Sequence, residues 1–196
     1  MSSSYNPKDD VSLLLKDQIA AGNEKAFRKL FDLFSRRLIK FADVIIKNRE
    51  TAMEIVDDVF IKMWKQRQEI ITIDNLKVYL YTAVKNPALN YLSKKANQLI
   101  TEPFDFMNMD YKESVDPEQQ LINGQILNQI NEAVDSLPPR CKMIFKLVRQ
   151  DGLRYREVAT ILNISENTVD AQMVIAVKRI SEKVSKYFTY FPRPVS

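Results

Sequence analysis

The side chains that could do chemistry in this chain are amides, hydroxyls, carboxylates and cations. Its 196 residues include no histidine and a single cysteine, Cys141. Histidine metal ligands, histidine general bases and imidazole-dependent triads are therefore excluded. The three glycines, Gly22, Gly124 and Gly152, lie too far apart to form a phosphate-binding loop. Hydrolases that depend on imidazole and nucleotide-dependent enzymes are therefore not expected, and we predict no cofactor, no metal and no small-molecule substrate.

The cysteine lies between two basic residues, Arg140 and Lys142, at the start of an apolar-periodic stretch. Neighbouring cations can lower the pKa of a thiol and make it reactive. A half-buried structural thiol is the simpler interpretation, and we favour it for Cys141.

Polar and cationic groups are most densely arranged in a C-terminal stretch, where residues 152–169 have the layout of a helix-turn-helix. Ala159 is small enough for a close helix crossing. Asn163 can adopt the left-handed conformation of the turn, and Ser165 can cap the helix that follows. An ordinary helical hairpin with a solvated outer face is the alternative.

The second helix of this motif has an apolar side, formed by Val169, Met173, Ala176, Val177, Ile180 and Val184. Its outward side could read a DNA major groove, because amides hydrogen-bond base edges, while the methyl groups of threonine and alanine contact thymine methyls. Arginines and lysines there would bind phosphates. The candidate residues are Arg154, Arg156, Ser165, Asn167, Thr168, Ala171, Gln172, Ile175, Lys178 and Arg179.

The elements that must position these groups are helices throughout. Apolar residues recur every three or four positions, and no alternating strand pattern occurs, so the sequence predicts an all-α chain. Pro87 predicts an interruption, since the residue before a proline avoids helical geometry and Asn86 is a good N-cap. The predicted helices cover about 9–21, 24–47, 50–67, 75–95 interrupted at Asn86-Pro87, 118–136, 138–150, 155–162 and 165–187.

The sequence predicts two small helical domains, residues 9–96 and 119–190, joined by an acidic linker over residues 97–118. Periodicity fades in the linker, although it retains several large apolar residues. Those residues suggest that the linker docks into a groove, either on a partner or on its own domains.

Charge is distributed unevenly along the chain. The net charge is +5 over residues 1–101, −5 over 102–118, −2 over 119–136 and +6 over 137–196. Two basic regions around an acidic segment suit a protein that contacts nucleic acid at both ends, although solvated surfaces also produce such a pattern.

The N-terminal ten residues are polar, and no stretch of the sequence approaches the roughly 20 apolar residues of a membrane span. We therefore expect a cytoplasmic protein.

The chain resembles the extracytoplasmic-function (ECF) sigma factors, minimal two-domain members of the sigma-70 family, over about residues 9–188. The resemblance rests on the order and spacing of several segments. They are Ala26-Phe-Arg-Lys-Leu-Phe31, Ala52-Met-Glu-Ile-Val-Asp-Asp-Val-Phe-Ile-Lys-Met-Trp64, Tyr79-Leu-Tyr-Thr-Ala-Val-Lys-Asn86, Leu137-Pro-Pro-Arg140 and the helix-turn-helix. The resemblance implies a non-catalytic factor that binds core RNA polymerase and directs initiation at promoters with particular −10 and −35 elements.

The resemblance implies that the helix carrying Asp57 and Asp58 binds core polymerase, with Trp64 as a hydrophobic anchor. Exposed acids beside an apolar anchor suit a protein interface. By themselves, the two acids could equally be solvated charges paired with nearby cations.

For the −10 element, the resemblance points to aromatic, amide and lysine residues around Asn86-Pro87. Exposed bases can stack on aromatic rings while lysines bind phosphates, which suits melted DNA. Tyr79 and Tyr91 could instead be core residues. The candidates are Tyr79, Tyr81, Lys85, Asn86, Asn90, Tyr91, Lys94 and Lys95.

The chain departs from its relatives in places. Tyr79 stands where many have tryptophan, and Val174 and Ile175 stand where polar or basic residues are common. The two aliphatic residues predict either a different or weaker −35 readout or an apolar contact with thymine methyls. The resemblance also implies control by an anti-sigma factor, often membrane-anchored.

Two other functions fit parts of the sequence. A stand-alone helix-turn-helix regulator would bind specific DNA tightly without polymerase. A helical enzyme with a carboxylate-held metal pair is the other alternative, although the sequence offers no Glu-x-x-His motif.

Overall fold

The computed structural model describes residues 15–98 and 125–190, and all regular structure in these ranges is helical. This confirms the predicted all-α fold. Contacts divide the chain into two compact units, Met1–Phe104 and Asp105–Ser196. The predicted linker, apart from residues 97 and 98, lies outside the described residues. So does the beginning of the first predicted helix.

In the first unit, asparagines begin three of the helices. Asn23 Oδ1 accepts a hydrogen bond from the Ala26 N–H at 3.1 Å, and Asn48 Oδ1 accepts one from the Thr51 N–H at 3.0 Å. Asn75 repeats the arrangement at the fourth helix. Each cap satisfies a backbone donor that has no partner within its helix. The helices are α1 (residues 15–20), α2 (Glu24–Ile46), α3 (Arg49–Lys65), a 3₁₀ helix (Arg67–Thr72) and α4 (Leu76–Gln98).

The core of this unit forms where α2 packs against both α3 and α4. Leu30 and Leu38 of α2, Val56 of α3 and Leu80 of α4 are fully buried. Burial of such side chains stabilises the unit by about 1.5–3 kcal/mol each. The sides of α2, α3 and α4 that take no part in this packing remain on the surface.

The predicted interruption at Asn86-Pro87 is wrong, because α4 runs continuously through Pro87 to Gln98. Buried residues lie on the same side of the helix before and after the proline, namely Val84 and Ala88. Packing of this continuous stripe outweighs the local preference for a new helix, as tertiary context often does. Residues 97 and 98, which we assigned to the linker, belong to α4.

The second unit contains α5 (Gln125–Asp135), α6 (Pro139–Arg149), α7 (Tyr155–Leu162) and α8 (Glu166–Tyr190). α8 contacts the other three helices. A buried cluster of Val134, Leu137, Cys141 and Ala176 joins it to α5 and α6. The apolar side of α8 is therefore fixed, and its opposite side is left for function.

The turn between α7 and α8 has the predicted geometry. Asn163 adopts the left-handed conformation, with φ of 54°. Ser165 Oγ accepts a hydrogen bond from the Thr168 N–H at 3.1 Å and therefore caps α8. The α7–α8 pair is a helix-turn-helix.

The predicted apolar side of α8 needs one correction. Val169, Met173 and Ala176 are buried, but Val177 is 49% exposed. Val177 lies about 80° around the helix from Val169, at the edge of the packed stripe. The sequence pattern alone did not distinguish this edge from the centre.

Candidate functional site

The surface of α3 presents two adjacent carboxylates, Asp57 and Asp58, which are both exposed. Their neighbours Val56 and Phe60 are buried against the rest of the unit. The acids thus lie on the solvent side of a helix whose other side is fixed in the core. This is the placement that a charged docking surface requires.

Beside Asp57 lies a groove between α2 and α3, about 890 Å³ in volume. Its lining combines four aromatic residues and one isoleucine with five charged residues. The Phe27 and Trp64 ring centroids are 4.9 Å apart, as are those of Phe31 and Phe60. The lining residues are Glu24, Phe27, Arg28, Phe31, Asp32, Asp57, Phe60, Ile61, Trp64 and Lys65.

The sequence did not predict the groove, because Phe27 and Phe31 share the three- and four-residue apolar spacing of the core-facing residues of α2. In the structure they are half-buried, at the edge of that side. Trp64 is also half-buried, and Arg67 stacks over its ring at 5.1 Å. One sequence pattern could have revealed the groove. Each of two consecutive helices carries a pair of aromatic residues four positions apart.

On α4, helical geometry sorts the predicted −10 residues into two groups. Tyr79, Asn86 and Asn90 are exposed and lie on one face, since they are seven and eleven residues apart. Lys94 is exposed and continues this face, which extends over about 22 Å. We call Tyr79, Asn86, Asn90 and Lys94 the α4 stripe. Tyr91 is half-buried, and the Lys95 side chain lies outside the described residues.

Two residues of the predicted −10 set are buried, which corrects their assignment. Tyr81 is 1% exposed and packs on Phe41 with ring centroids 5.1 Å apart. Lys85 is 9% exposed, and burial lowers its pKa. Neither side chain can reach DNA in this conformation. Tyr81 lies two residues after Tyr79, so the helix turns it about 200° away from the exposed ring.

In the second unit, the outward side of the helix-turn-helix carries most of the predicted DNA-reading residues. They differ in exposure, because Thr168 and Gln172 are half-buried, and the Ser165 hydroxyl already lies 2.8 Å from that of Thr168. The exposed ones are Arg154, Arg156, Ser165, Asn167, Ala171, Ile175, Lys178 and Arg179.

Two contacts fix the helices of this motif. The Cys141 thiol donates a hydrogen bond to the Gln172 carbonyl oxygen at 3.2 Å, which ties α6 to the middle of α8. The Arg154 N–H donates to Glu157 Oε2 at 2.7 Å at the start of α7. Burial raises the pKa of Cys141, and nearby Arg179 opposes this effect. Cys141 is therefore a structural thiol, fully buried rather than half-buried.

Comparison with known protein families decides what these units are. The family model described as Sigma-70 region 2 matches residues 30–98, and that described as Sigma-70, region 4 matches residues 127–180. Together the two matches cover more than half of the chain. The chain belongs to the sigma-70 family. This sigma factor directs promoter-specific transcription initiation, and its pair of regions 2 and 4 is that of the ECF group.

Curated relatives agree with this assignment. The sigma factor is 22% identical over 178 residues to the ECF RNA polymerase sigma-E factor of Escherichia coli strain K12, covering 87% of this chain and 93% of that protein. The corresponding protein of Haemophilus influenzae is 23% identical over 177 residues, with the same coverage.

Solved structures share the fold. The sigma factor RpoE from Bartonella quintana, determined in complex with the anti-sigma factor NepR, gives a TM-score of 0.56 at 21% identity, covering 82% of this chain and 98% of that one. CnrH, determined in complex with the cytosolic domain of CnrY, gives 0.53 at 17% identity, covering 90% and 98%.

The helices in the described ranges include none that is long and apolar enough to cross a bilayer. Among those same residues, no three His, Cys, Asp or Glu side chains form a group that could hold a metal ion.

Proposed function

We propose that this sigma factor binds core RNA polymerase through α3, reads and melts the −10 element with α4, and reads the −35 element with the helix-turn-helix. The single observation that carries this proposal is that the region 2 match includes both the exposed Asp57-Asp58 pair and the α4 stripe. A stand-alone regulator needs no such unit.

The polymerase-binding surface in this proposal is the Asp57-Asp58 pair together with the adjoining aromatic groove. An interface of this kind combines a desolvated aromatic anchor with polar groups at its rim. Phe27, Phe31 and Trp64 supply the anchor, and the two carboxylates supply the specificity. The predicted role of Trp64 is thereby extended to its aromatic neighbours.

In the −10 interaction, the exposed ring of Tyr79 stacks on an unpaired base, while Asn86 and Asn90 hydrogen-bond base edges or the backbone. Lys94 binds phosphate. Stacking on a tyrosine contributes about 1–3 kcal/mol per base, which helps to hold strands apart without ATP. Tyr81 and Lys85 support α4 from within and take no direct part.

In the −35 interaction, α8 enters the major groove of duplex DNA and α7 crosses the backbone. Asn167 and Gln172 hydrogen-bond base edges, and Ala171 and Ile175 pack against the same base edges. Arg154 and Arg156 bind phosphates from α7. The remaining cations, Lys178 and Arg179, do so from α8.

Regulation is proposed by analogy with the solved neighbours. RpoE was determined in complex with NepR, an anti-sigma factor. An anti-sigma factor, either free or membrane-anchored, that covers the α3 surface or the helix-turn-helix would keep this sigma factor from core polymerase. The sigma factor acts in the cytoplasm beside the polymerase, and the catalytic chemistry belongs entirely to the polymerase.

In vitro transcription with purified core polymerase, followed by mapping of start sites, tests the whole proposal. We expect defined start sites that depend on this sigma factor. A gel-shift on the mapped promoters, with and without core, discriminates the stand-alone regulator. Tight sequence-specific binding by the sigma factor alone, combined with failure to join core, would falsify the proposal.

A further inference from the structure

The exposed face of α8 is aliphatic at its centre. Ala171, Val174, Ile175 and Lys178 are spaced three, four and seven residues from the first, so they lie on one side of the helix. All four are exposed, and Val174 and Ile175 are 62% and 38% exposed. We call these four residues the α8 face. The buried residues Val169, Met173 and Ala176 lie on the opposite side.

Hydrogen-bonding groups lie at the margins of this face rather than at its centre. Gln172 is half-buried toward the core side, and its carbonyl already accepts the Cys141 thiol. Thr168 is half-buried, with its hydroxyl beside that of Ser165. Asn167, at the N-terminal end, is an exposed amide. The centre of α8 thus offers aliphatic contact where a reader of hydrogen-bond patterns would place polar groups.

Charge around the face identifies nucleic acid as its occupant. Lys178 belongs to the face, and Arg179 is exposed beside it. Glu166 and Asp170 lie roughly 100–140° around the helix from Ala171, and Glu182 lies one turn beyond Lys178, so no acid lies among the three aliphatic residues. The net charge of +6 over residues 137–196 adds long-range attraction for phosphates.

Among the groups on base edges in the major groove, the C5-methyl of thymine is the apolar one, and small aliphatic side chains contact it. We propose that Ala171, Val174 and Ile175 select the −35 sequence by packing against thymine methyl groups. This inference rests on the proposed −35 role of α8 and specifies what α8 reads. It resolves the alternatives left by the aliphatic residues at 174 and 175 in favour of apolar readout.

The test removes methyl groups from the DNA and leaves its base pairing unchanged. Holoenzyme, reconstituted from core polymerase and the full-length sigma factor, is assayed for open-complex formation on its mapped promoter. Each thymine of the −35 element is replaced in turn by deoxyuridine. At the contacted positions we expect formation to fall roughly 3- to 5-fold per methyl. Deoxyuridine in the spacer is the control and should have no effect.

Matched protein variants assign the effect to the α8 face. Ile175→Ala and Val174→Ala should each weaken use of the thymine promoter and make it insensitive to deoxyuridine at the contacted position. Ile71→Ala is the control, since Ile71 is an exposed aliphatic residue of the first unit that lies outside the aromatic groove. It should leave both the promoter activity and the effect of deoxyuridine unchanged.

A further template separates the methyl group from the hydrogen-bonding groups of thymine. Replacing a contacted thymine by cytosine removes the methyl, and replacing it by 5-methylcytosine keeps it. If the methyl is read, the 5-methylcytosine template should recover a part of the lost activity. Equal activity of the two cytosine templates would overturn the inference.

Other results would also overturn it. Examples are a native −35 element without thymine, no effect of deoxyuridine, or equal losses in the alanine variants on thymine and deoxyuridine templates. In those cases the α8 face does not select the −35 sequence through thymine methyl groups. The −35 role itself has a separate readout, because base-pair changes in the element should still alter activity. Loss of that dependence would overturn the proposed function as well.

Discussion

The two helices that we propose read DNA expose different chemistry. The α4 stripe presents an aromatic ring, two amides and a lysine, whereas the α8 face presents three aliphatic side chains and a lysine. Rings stack on bases that have left the duplex, and small aliphatic groups fit the edges of bases that remain in it. The difference fits the proposed division of work, in which the first unit handles melted strands and the second reads duplex DNA.

The first unit also carries the proposed polymerase surface, so damage there should have the largest and least selective effect. We expect Asp57→Lys combined with Asp58→Lys to weaken association with core polymerase by roughly 100-fold or more, because reversing two interface charges adds repulsion to the loss of contacts. Association measured by gel filtration or fluorescence anisotropy tests this. Transcription should fall on every promoter, whereas changes in the second unit should be promoter-selective.

The matched control reverses two exposed acids of the same unit that lie outside the groove lining, Glu69→Lys with Asp74→Lys. It makes the same change in net charge and should leave association intact. Circular dichroism should show unchanged helicity in both double variants. Normal association of the Asp57 and Asp58 variant would remove this surface from the proposal.

The stacking role of α4 has a direct test in Tyr79→Ala. We expect a loss of about 1–3 kcal/mol in open-complex formation on duplex promoters, since one base loses its stacking partner. A template with a preformed mismatch bubble at −10 should reduce that loss, because its strands are already separated. Permanganate footprinting of unpaired thymines measures the melting.

Tyr81→Phe serves as the control for Tyr79. It keeps the ring that packs on Phe41, and its side chain is buried, so promoter melting should not change. A larger melting defect in Tyr81→Phe than in Tyr79→Ala would reverse the proposed division of α4 into an outer and an inner side.

Duplex reading by α8 is tested by Gln172→Ala. We expect a loss of about 1–3 kcal/mol on promoters with the native −35 sequence and no change in −10 preference. The backbone carbonyl that accepts the Cys141 thiol is unaffected by this change. Gln150→Ala, an exposed glutamine at the end of α6, is the control. Equal losses on every promoter would indicate a structural role for Gln172.

The smallest expected effect concerns Cys141, whose pKa is raised by burial. Burial keeps this thiol protonated to a higher pH in the folded state than in the unfolded state. Above the ordinary thiol pKa of 9.0 the unfolded chain therefore binds fewer protons, and a rise in pH lowers the free energy of unfolding. The free energy of unfolding is unaffected by ionisation of this thiol below that pH and falls as the pH rises toward the pKa of the folded state.

Ionisation of Cys141 can lower the free energy of unfolding by no more than about 1.4 kcal/mol per pH unit. Denaturant unfolding of the wild type and Cys141→Ala from pH 8 to 10 measures it as a difference, since titration of other groups is common to both proteins. We expect the wild type to lose stability more steeply than the variant. Parallel curves would show that the thiol does not titrate on unfolding.

Much of this protein was determined locally, and the sequence therefore predicted it. Asn163 and Ser165 form the predicted turn before α8, and the asparagine caps of α2 and α4 are equally local although they were not predicted. These features depend on a few neighbouring residues. The all-α class, the limits of α7 and the family resemblance followed from the same short-range patterns.

Tertiary packing decided which side of each helix became surface. Pro87 lies inside α4 because buried residues continue past it, and Tyr81 is buried while Tyr79 is exposed because α2 covers one side of α4. The aromatic groove beside Asp57 exists because residues at the margins of the packed sides of α2 and α3 lie next to each other. Val177 is exposed for the related reason that α8 is packed along a narrow stripe. Periodicity marks an apolar side, but contacts with other helices set its width, and those contacts join residues far apart in the sequence.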